Sequence, residues 1–435
     1  HWTLASFLAR ARWDYQGKYY ANIAMRTDGS SRLAAGNQWA FFPSGGVAWR
    51  ISEEEFFGKR EWLNSLKLRA SYGAVGNSAI DPYQTIAGLS KYDYLFGEDA
   101  GNKFFAYRPS MIPNKDLGWE ISRTANFGVD FGLWNNRISG YIEGYITKTS
   151  DLLMERTLPF FTGFSKVWQN IGKTENKGIE LNIQANTLKT KSFSWETTVT
   201  FARNWNKITE LLGGGDIRNN SWFIGKPLQV HYNYEMIGVW QLGEEKEAQK
   251  YGAIPGDIKV KDQNNDGSIG ELDKVILGQK DPKIIASLLN SFRFGAFDAS
   301  INLNMNFGSL IHPNTYASLI TRDGLRWMPS NFKYWTPDNP TNEYTRADKL
   351  SGYDPFAGTG GYMKGDYIKI QDITLGYDFS KIMPKNWKIL RARLYAQVRN
   401  LGYIYKACKN DVSPEAPDFD YNIPTTYTMG INIDF

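Results

Sequence analysis

The chain has 435 residues, of which 42% are hydrophobic and 15% aromatic, and its 50 basic and 45 acidic residues give a formal charge of +5. No apolar run approaches the roughly 20 residues that a membrane-spanning helix needs, and no long basic block supports nucleic-acid binding. A single cysteine, Cys408, excludes an internal disulfide, and three histidines leave little for a histidine-based metal or catalytic site.

Alternating apolar and polar residues predict β-strands along the whole chain. The first two, residues 7–14 and 19–26, are joined by the tight turn Tyr15-Gln16-Gly17 and predict a hairpin. In chain order, further strands are predicted at residues 41–50, 66–75, 123–133, 137–147, 179–184, 195–203, 284–294, 297–307, 367–377, 390–399 and 427–435. Together they make about thirteen strands. Within 367–377 the apolar parity switches, which predicts a β-bulge near Gln371-Asp372.

Each clear strand has one apolar face and one amide-rich face. Residues 297–307 place Phe, Ala, Ile, Leu and Met at odd positions and Asp, Ser and Asn at even positions. The last nine residues put Met429, Ile431 and Ile433 on one face and end on the aromatic Phe435. A soluble sandwich would tolerate many charges on its outer face, whereas a repeated Asn, Ser and Gln face is typical of a wet lumen. The pattern favours an all-β fold, a transmembrane antiparallel β-barrel.

The links between the predicted strands alternate between short and long. Short links lie at residues 15–17, 134–136, 187–191, 295–296 and, somewhat longer, 378–389, and long links lie at 76–120, 151–178, 204–283, 308–366 and 401–425. Outer-membrane barrels pair short periplasmic turns with long external loops, so we expect the long links outside the cell. Residues 230–239 resemble a strand, but counting them as spanning would break the alternation. We therefore expect local structure there, inside the external loop 204–283.

The alternation also predicts that part of the barrel lies outside this chain. Counted back from a periplasmic Phe435, the strands reach an odd number, whereas bacterial barrels close with an even number. We expect residues 1–435 to be the C-terminal part of a barrel of roughly 22 strands, with about nine strands and a plug domain before His1. The chain opens without a signal peptide, which suits an exported protein only if a leader was removed or the chain is one part of a longer protein.

The best candidate for a binding site is the Asp- and Asn-rich run 262–273. Oxygen-bearing side chains at positions one, three, five and seven, with glycine at position six, match the calcium-loop pattern, in which a hard cation takes several oxygens from one tight turn. Aspartate at position twelve reaches less far than glutamate, and the same residues also favour a turn without metal. No cofactor is required, and Ca²⁺ is the ion that the pattern suggests. The predicted ligands are Asp262, Asn264, Asp266, Ser268 and Asp273.

Sequence signs of catalysis are missing. There is no H-E-x-x-H motif, no G-x-S-x-G motif and no phosphate-cradling glycine loop. The acidic residues 53–55 form a solvated run. We therefore do not expect this protein to be an enzyme. Aromatic residues in the external loops could stack on sugar rings, but most aromatics in a barrel are girdle or loop-packing residues. Substrate-binding residues are therefore left unassigned. The loop aromatics are Trp222, Phe223, Trp240, Trp327, Trp335 and Tyr362.

Several short sequence tags follow one another in a fixed order. They include Arg26-Thr27-Asp28-Gly29-Ser30, Leu66-Lys67-Leu68-Arg69-Ala70, Gly256-Asp257-Ile258-Lys259 with Asp266-Gly267, Trp335-Thr336-Pro337-Asp338-Asn339-Pro340 and Arg399-Asn400-Leu401. Each tag is weak alone, but in this order they resemble the C-terminal part of SusC/RagA-type TonB-dependent transporters. Residues 405–409 depart from the family's pattern, in an external loop.

This resemblance implies an importer in the outer membrane of a Gram-negative bacterium, plugged by an N-terminal domain and energised by the TonB complex. It also implies a SusD-like surface lipoprotein that acts as a lid and helps to capture a glycan or peptide substrate. The expected partners are this lid, the upstream plug and barrel segment, the TonB complex and the lipid bilayer, and not nucleic acid. Two alternatives remain open: a self-contained passive channel of about fourteen strands and a soluble carbohydrate-binding or hydrolytic β-sandwich.

Overall fold

The computed structural model describes most of the chain as β-strands joined by short turns and long loops. Within the described residues, no helix is long and apolar enough to cross a bilayer. The chain divides into two compact units, residues 1–184 with 202–228, and residues 185–201 with 229–435. The described residues are 1–58, 60–95, 103–321, 332–346, 358–380, 382–384, 389–409, 412–417 and 423–435.

The strands and helices follow the predicted alternation of long strands and links. In chain order the strands are β1 (Leu4–Tyr15), β2 (Tyr19–Ser30), β3 (Trp39–Arg50), β4 (Leu63–Asn77), β5 (Leu89–Leu95), β6 (Lys103–Pro109), β7 (Glu120–Leu133), β8 (Ile138–Ser150), β9 (Leu153–Thr157), β10 (Lys166–Asn170), β11 (Lys173–Lys189), β12 (Phe193–Glu210), β13 (Val230–Tyr234), β14 (Met236–Val239), β15 (Ile258–Val260), β16 (Lys274–Gln279), β17 (Ile284–Phe294), β18 (Phe297–Phe307), β19 (Leu310–Ile311), β20 (Met363–Lys364), β21 (Tyr367–Asp378), β22 (Arg391–Lys406) and β23 (Thr426–Asp434). Among the described residues, the α-helices are α1 (Glu245–Lys250) and α2 (Asn314–Thr321).

Thirteen strands form one antiparallel sheet whose neighbours follow chain order, namely β1–β4, β7, β8, β11, β12, β17, β18 and β21–β23. Each overlaps one of the predicted spanning strands, so the predicted number and order are confirmed. Several strands are longer than predicted on the side of the long loops. β12, for example, continues to Glu210, well beyond the predicted end at residue 203. The ladder hydrogen bonds satisfy the backbone beyond the point where the alternating pattern fades.

Backbone hydrogen bonds set the position of two short links. The first hairpin turns at Gln16 and Gly17, which both have positive φ angles of 53° and 65°, and the Lys18 amide donates to the Tyr15 carbonyl at 3.0 Å. This mirror-image turn matches the twist of the strands that it joins. The link predicted at 187–191 lies instead at 190–192, because the Thr190 amide donates to the Phe193 carbonyl at 2.7 Å and extends the ladder.

The predicted β-bulge is confirmed at Gln371. In the pairing of β18 with β21, Asn302 lies opposite Asp372 and the next residue, Leu303, lies opposite Ile370. Gln371 is therefore the extra residue of β21. The insertion brings Ile370 onto the same face as Ile373, so the apolar residues before and after the parity switch share one face.

Residues 230–239 form local structure outside the thirteen-stranded sheet, as predicted. β13 pairs with β16, and β14 pairs with β15, in two separate two-stranded ladders.

Buried apolar side chains form separate clusters within each unit. One buried cluster in the first unit contains Leu33, Phe42, Ala74, Ile80, Leu117 and Trp119. Another in the second unit contains Tyr316, Phe332, Tyr344, Cys408 and Val412.

Candidate functional site

The sheet presents an apolar face and a polar face, and the polar face of the second unit is hydrogen-bonded across its strands. We define the polar face there by the residues that share the side of Asn302. Three asparagines of β18 donate to side chains of β21 along this face. The pairs are Asn302 Nδ2 to Asp372 Oδ2 at 3.2 Å, Asn304 Nδ2 to Gln371 Oε1 at 3.3 Å, and Asn306 Nδ2 to the Tyr367 hydroxyl at 2.9 Å.

A buried ion pair lies next to this amide ladder. Lys369 of β21 is only 3% exposed, and its Nζ donates to Glu415 Oε2 at 2.6 Å. The Tyr403 hydroxyl donates to the same carboxylate oxygen at 2.9 Å, and the Tyr367 hydroxyl donates to Oε1 at 3.3 Å. Because Glu415 belongs to the last long loop, this pair fastens that loop to the polar face of the strands.

Fixed charges also line the polar face of the first unit. Arg69 of β4 donates through Nε to Asp130 of β7 at 3.1 Å and through Nη2 to Glu143 of β8. Lys67 Nζ lies 2.5 Å from Asp130 Oδ2. Four charged side chains on three adjacent strands therefore hold one another in place. Such a face can offer oriented charges and hydrogen bonds to a hydrated solute.

The opposite, apolar face consists of large exposed side chains. Met429 of β23 is 76% exposed and pairs with Ala396, which in turn pairs with Leu375. Ile431, one step along β23, is 59% exposed. Neither Met429 nor Ile431 lies in a dry protein interior, and a continuous exposed apolar surface of this kind suits contact with lipid.

The model of a family described as TonB dependent receptor-like, beta-barrel matches residues 2–401 of the chain. The chain belongs to this family. Its members are outer-membrane β-barrels, so the apolar face of the sheet faces lipid, the polar face faces the lumen and the long loops are extracellular. The soluble sandwich alternative is therefore wrong, because both its fold and its location differ from those of the family.

Named relatives agree with this assignment. The TonB-dependent receptor P26 of Formosa agariphila is 30% identical over 99% of this chain and 46% of the relative. The TonB-dependent receptor SusC of Bacteroides thetaiotaomicron is 29% identical over 100% of this chain and 44% of the relative. The chain thus spans about half the length of the curated relatives that it matches.

A solved structure with the same fold is that of the RagAB peptide transporter. Its TM-score is 0.81 at 24% sequence identity, and the match covers 100% of this chain and 48% of the solved chain. The "closed-closed" state of the RagAB peptide importer gives a TM-score of 0.80 at 24% identity. At this level of identity the likeness establishes the fold.

The predicted calcium loop of the receptor is a tight turn closed by its own carboxylates. Asp262 Oδ1 accepts the Asn265 amide at 2.7 Å, and Asp262 Oδ2 accepts the Gly267 amide at 2.9 Å. Gly267, at position six, has a φ angle of +82°, which is the left-handed conformation that glycine tolerates. Asp266 Oδ1 accepts both the amide and the hydroxyl of Ser268, and these hydrogen bonds lower the pKa of Asp266.

Asp273 has a different role from the other predicted ligands. It is 1% exposed, its Oδ1 accepts the Gln263 amide at 2.8 Å and its Oδ2 accepts the Gly270 amide at 2.8 Å. Both carboxylate oxygens are thus occupied, and the hydrogen bond from Gln263 joins the two ends of the loop. Over the residues that the structure describes, no group of three or more His, Cys, Asp or Glu side chains could hold a metal ion. Calcium binding by Asp262, Asn264, Asp266, Ser268 and Asp273 stays a prediction.

Replacing Asp273 by alanine should lower the free energy of local opening of this loop by about 2 kcal/mol, because two inward-facing amides lose their acceptor. The measurement is hydrogen exchange of the amides in 262–273 in the full-length protein. Asp273→Asn is the matched control, since its amide oxygen still accepts one of the two hydrogen bonds and should give an intermediate loss of protection. Unchanged protection in the alanine variant would show that Asp273 does not close the loop.

Most of the loop aromatics that the structure describes are packed against other residues of the loops. Phe223, Trp240 and Trp335 are buried, and the Trp335 indole donates to Gln241 Oε1 at 2.8 Å. Trp240 stacks on Tyr251 with ring centroids 6.1 Å apart. Trp327 lies outside the described residues. Loop packing accounts for these buried rings, so none of them is assigned to a substrate.

Two histidines that lie 81 positions apart in the chain meet in the folded loops, which no sequence pattern indicated. His231 and His312 both contact the ring of Tyr362, with centroid distances of 5.1 Å and 4.4 Å. His231 Nε2 lies 2.9 Å from the Leu310 carbonyl, and His312 Nε2 lies 2.7 Å from the Gly358 carbonyl. Each imidazole therefore donates an N–H to a backbone acceptor. Burial lowers the pKa of His231 from 6.5 to about 4.

This low pKa predicts a pH-dependent loop. Between pH 6.5 and about 4 the unfolded loop binds a proton at His231 that the folded loop does not, so the folding free energy becomes less favourable as the pH falls. Proteolysis near 230–234 should therefore be slow at pH 7 and should accelerate as the pH falls towards 4. His231→Gln keeps an N–H donor and cannot titrate, so its cleavage rate should change less with pH. Equal pH profiles would contradict the prediction.

Proposed function

We propose that this chain is the C-terminal barrel portion of a SusC-like importer that moves an oligomeric nutrient, a glycan or a peptide, across the outer membrane. The observation that carries the proposal is the two-sided sheet, with exposed apolar residues such as Met429 on one face and a hydrogen-bonded polar face on the other. The family match and the name of the SusC relative support it. The function is transport without catalysis.

The energy for import would come from the TonB complex, acting through the plug and the upstream barrel segment of the same transporter. A SusD-like surface lipoprotein would close the extracellular side as a lid. The names of the SusC relative and of the RagAB peptide transporter support this partnership and the substrate class. The charges of Lys67, Arg69, Asp130 and Glu143 face the lumen and would give the substrate oriented polar contacts along the wall.

The test is uptake of labelled oligosaccharides and oligopeptides by cells that carry the full-length transporter. Uptake should require the transporter, an intact TonB complex and a SusD-like surface lipoprotein. Uptake that continues at the same rate without TonB, together with steady ion conductance of the purified protein in planar bilayers, would favour the passive channel of about fourteen strands and overturn the proposal.

We also propose calcium as an accessory ion of the extracellular loop 204–283. The sharp turn at Gly267 and the exposed side chains of Asn264 and Asp266, beside the half-buried Asp262, support this proposal, because a hard cation needs several oxygens from one short turn. Calcium should raise the thermal transition of the full-length protein, and a chelator should reverse the effect. A transition that does not respond to calcium in the wild type, or that responds equally in Asp262→Ala, would contradict it.

A further inference from the structure

A group of cations lies on the lipid-facing side of the first unit, at the extracellular ends of its strands. We define the outer basic patch as Arg123 of β7, Lys148 of β8 and Lys173 of β11. Arg123 follows one long loop and Lys148 precedes another, so both mark the extracellular end of the sheet. All three side chains are exposed. Charged residues on the lipid face of a barrel are unfavourable unless they lie near the interface or have partners.

Two of these cations oppose each other directly. Arg123 and Lys148 are cross-strand partners in the register of β7 with β8, on the same face as the pair Ala125 and Ile146. Like charges in this position repel each other. In the described structure neither side chain has a carboxylate at ion-pair distance, and Arg123 has only the Ser150 hydroxyl at 3.5 Å. An anion between them would remove this repulsion.

The neighbouring acidic residues are already used by other cations. Glu210 lies 2.7 Å from Lys173, and Glu175 lies 3.2 Å from Lys177 and 3.3 Å from Lys207. These carboxylates therefore balance their own lysines. The positive charge of Arg123 and Lys148 remains available for an external anion.

A depression of about 680 Å³ connects the patch to the lipid-facing wall. Arg123, Lys148 and Lys173 line its polar side, and Tyr72 and Ile146 contribute to its apolar side. Glu175 also lines the depression, and its carboxylate is held by Lys177 and Lys207. The shape suits a molecule with a charged headgroup and an apolar tail. A free inorganic anion would use only the polar side.

The depth of the patch fits the edge of a bilayer. The nine residues from Ala125 to Leu133 rise about 30 Å along the strand and about 23 Å across a membrane at a tilt near 40°. This length matches the apolar band of an outer-membrane barrel, about 25 Å tall. Trp134 marks the periplasmic end of that span, so Arg123 lies just beyond its extracellular end, at the level of the lipid headgroups.

We propose that the outer basic patch binds a phosphate-bearing lipid headgroup of the outer leaflet. The phosphate lies between Arg123 and Lys148 and relieves their repulsion, while an acyl chain packs along Tyr72 and Ile146. The negative charge of the bound lipid thereby compensates the positive charges at this edge of the barrel. A second copy of the transporter, or an acidic surface of a partner protein, is the competing occupant.

The test is binding of bisphosphorylated lipid A to the full-length transporter purified in a neutral detergent. Arg123→Gln with Lys148→Gln should weaken binding about 25-fold, since each cation contributes about fivefold in affinity at an anionic membrane surface. The matched control, Lys115→Gln with Lys246→Gln, removes two exposed loop cations and should bind within about twofold of the wild type. Arg123→Lys with Lys148→Arg keeps both charges and should retain most of the affinity even if the neutral variant folds poorly.

Three results would overturn the proposal. If dephosphorylated lipid A binds the wild type as tightly, the phosphate is not recognised. If inorganic phosphate at millimolar concentration, without lipid, saturates the same residues, the site is one for free anions. If the neutral variant keeps its lipid affinity but changes its oligomeric state in light scattering, the patch is a contact between copies.

Discussion

Replacing Met429 by arginine should destabilise the full-length protein in a bilayer by about 2–4 kcal/mol, whereas arginine at the adjacent Thr428 should cost less than about 1 kcal/mol. The two residues are neighbours on β23, but Met429 is 76% exposed on the lipid-facing side and Thr428 faces the lumen. An arginine at 429 would place its charge within the hydrocarbon layer, where no water or counter-ion compensates it.

The free energy of unfolding is measured by urea titration in lipid vesicles, with heat-modifiable mobility on gels as a check of folding. Because both variants change a side chain to the same arginine in the same strand, propensity and length effects cancel. Equal losses of stability for the two variants would mean that β23 does not separate lipid from a hydrated lumen.

Removing the carboxylate of Glu415 should destabilise the protein by about 3–5 kcal/mol, because Lys369 would be left as a buried, unpaired charge. Lys369 is 3% exposed, and its ammonium lies 2.6 Å from Glu415 Oε2. Glu415→Leu should therefore release the loop 412–417 and admit water to Lys369. Hydrogen exchange of that loop and the free energy of unfolding are the two measurements.

A double variant and a surface control make this second prediction specific. Lys369→Met combined with Glu415→Leu replaces the pair by apolar groups and should recover most of the lost stability. Glu247→Leu removes one partner of the exposed pair with Lys250, at 2.8 Å, and should leave stability almost unchanged. If Glu415→Leu behaves like Glu247→Leu, the loop is not fastened through Lys369.

The alternation of side chains was sufficient to predict the sheet. The two-residue period of β18 places Ile301 and Leu303 on one face independently of the loops, because successive side chains of a strand point to opposite faces. The parity switch in β21 was readable for the same reason, since only an extra residue at Gln371 keeps both halves of that strand on one apolar face. Strand ends were less predictable, because ladders such as that of β12 continue through polar residues above the membrane.

Contacts between distant loops could not be predicted from local pattern. Glu415 meets Lys369 across 46 residues, and nothing in either neighbourhood marks the other as its partner. The meeting of His231 and His312 at Tyr362 depends in the same way on how two long loops pack. Arg123 and Lys148 are a different case, because the alternation within each strand already predicts the face on which each residue lies. The register that sets them opposite each other appears only in the pairing of β7 with β8.

The central claim is that each long strand has one face in lipid and one face in a hydrated lumen, and single-cysteine scanning of β18 tests it most directly. Cysteines are placed one at a time at residues 300–305 in a Cys408→Ser background, labelled with an environment-sensitive fluorophore and exposed to lipid-bound and water-soluble quenchers. We predict that 301, 303 and 305 are quenched from lipid and that 300, 302 and 304 are quenched from water. Quenching that does not alternate along these six positions would contradict the claim.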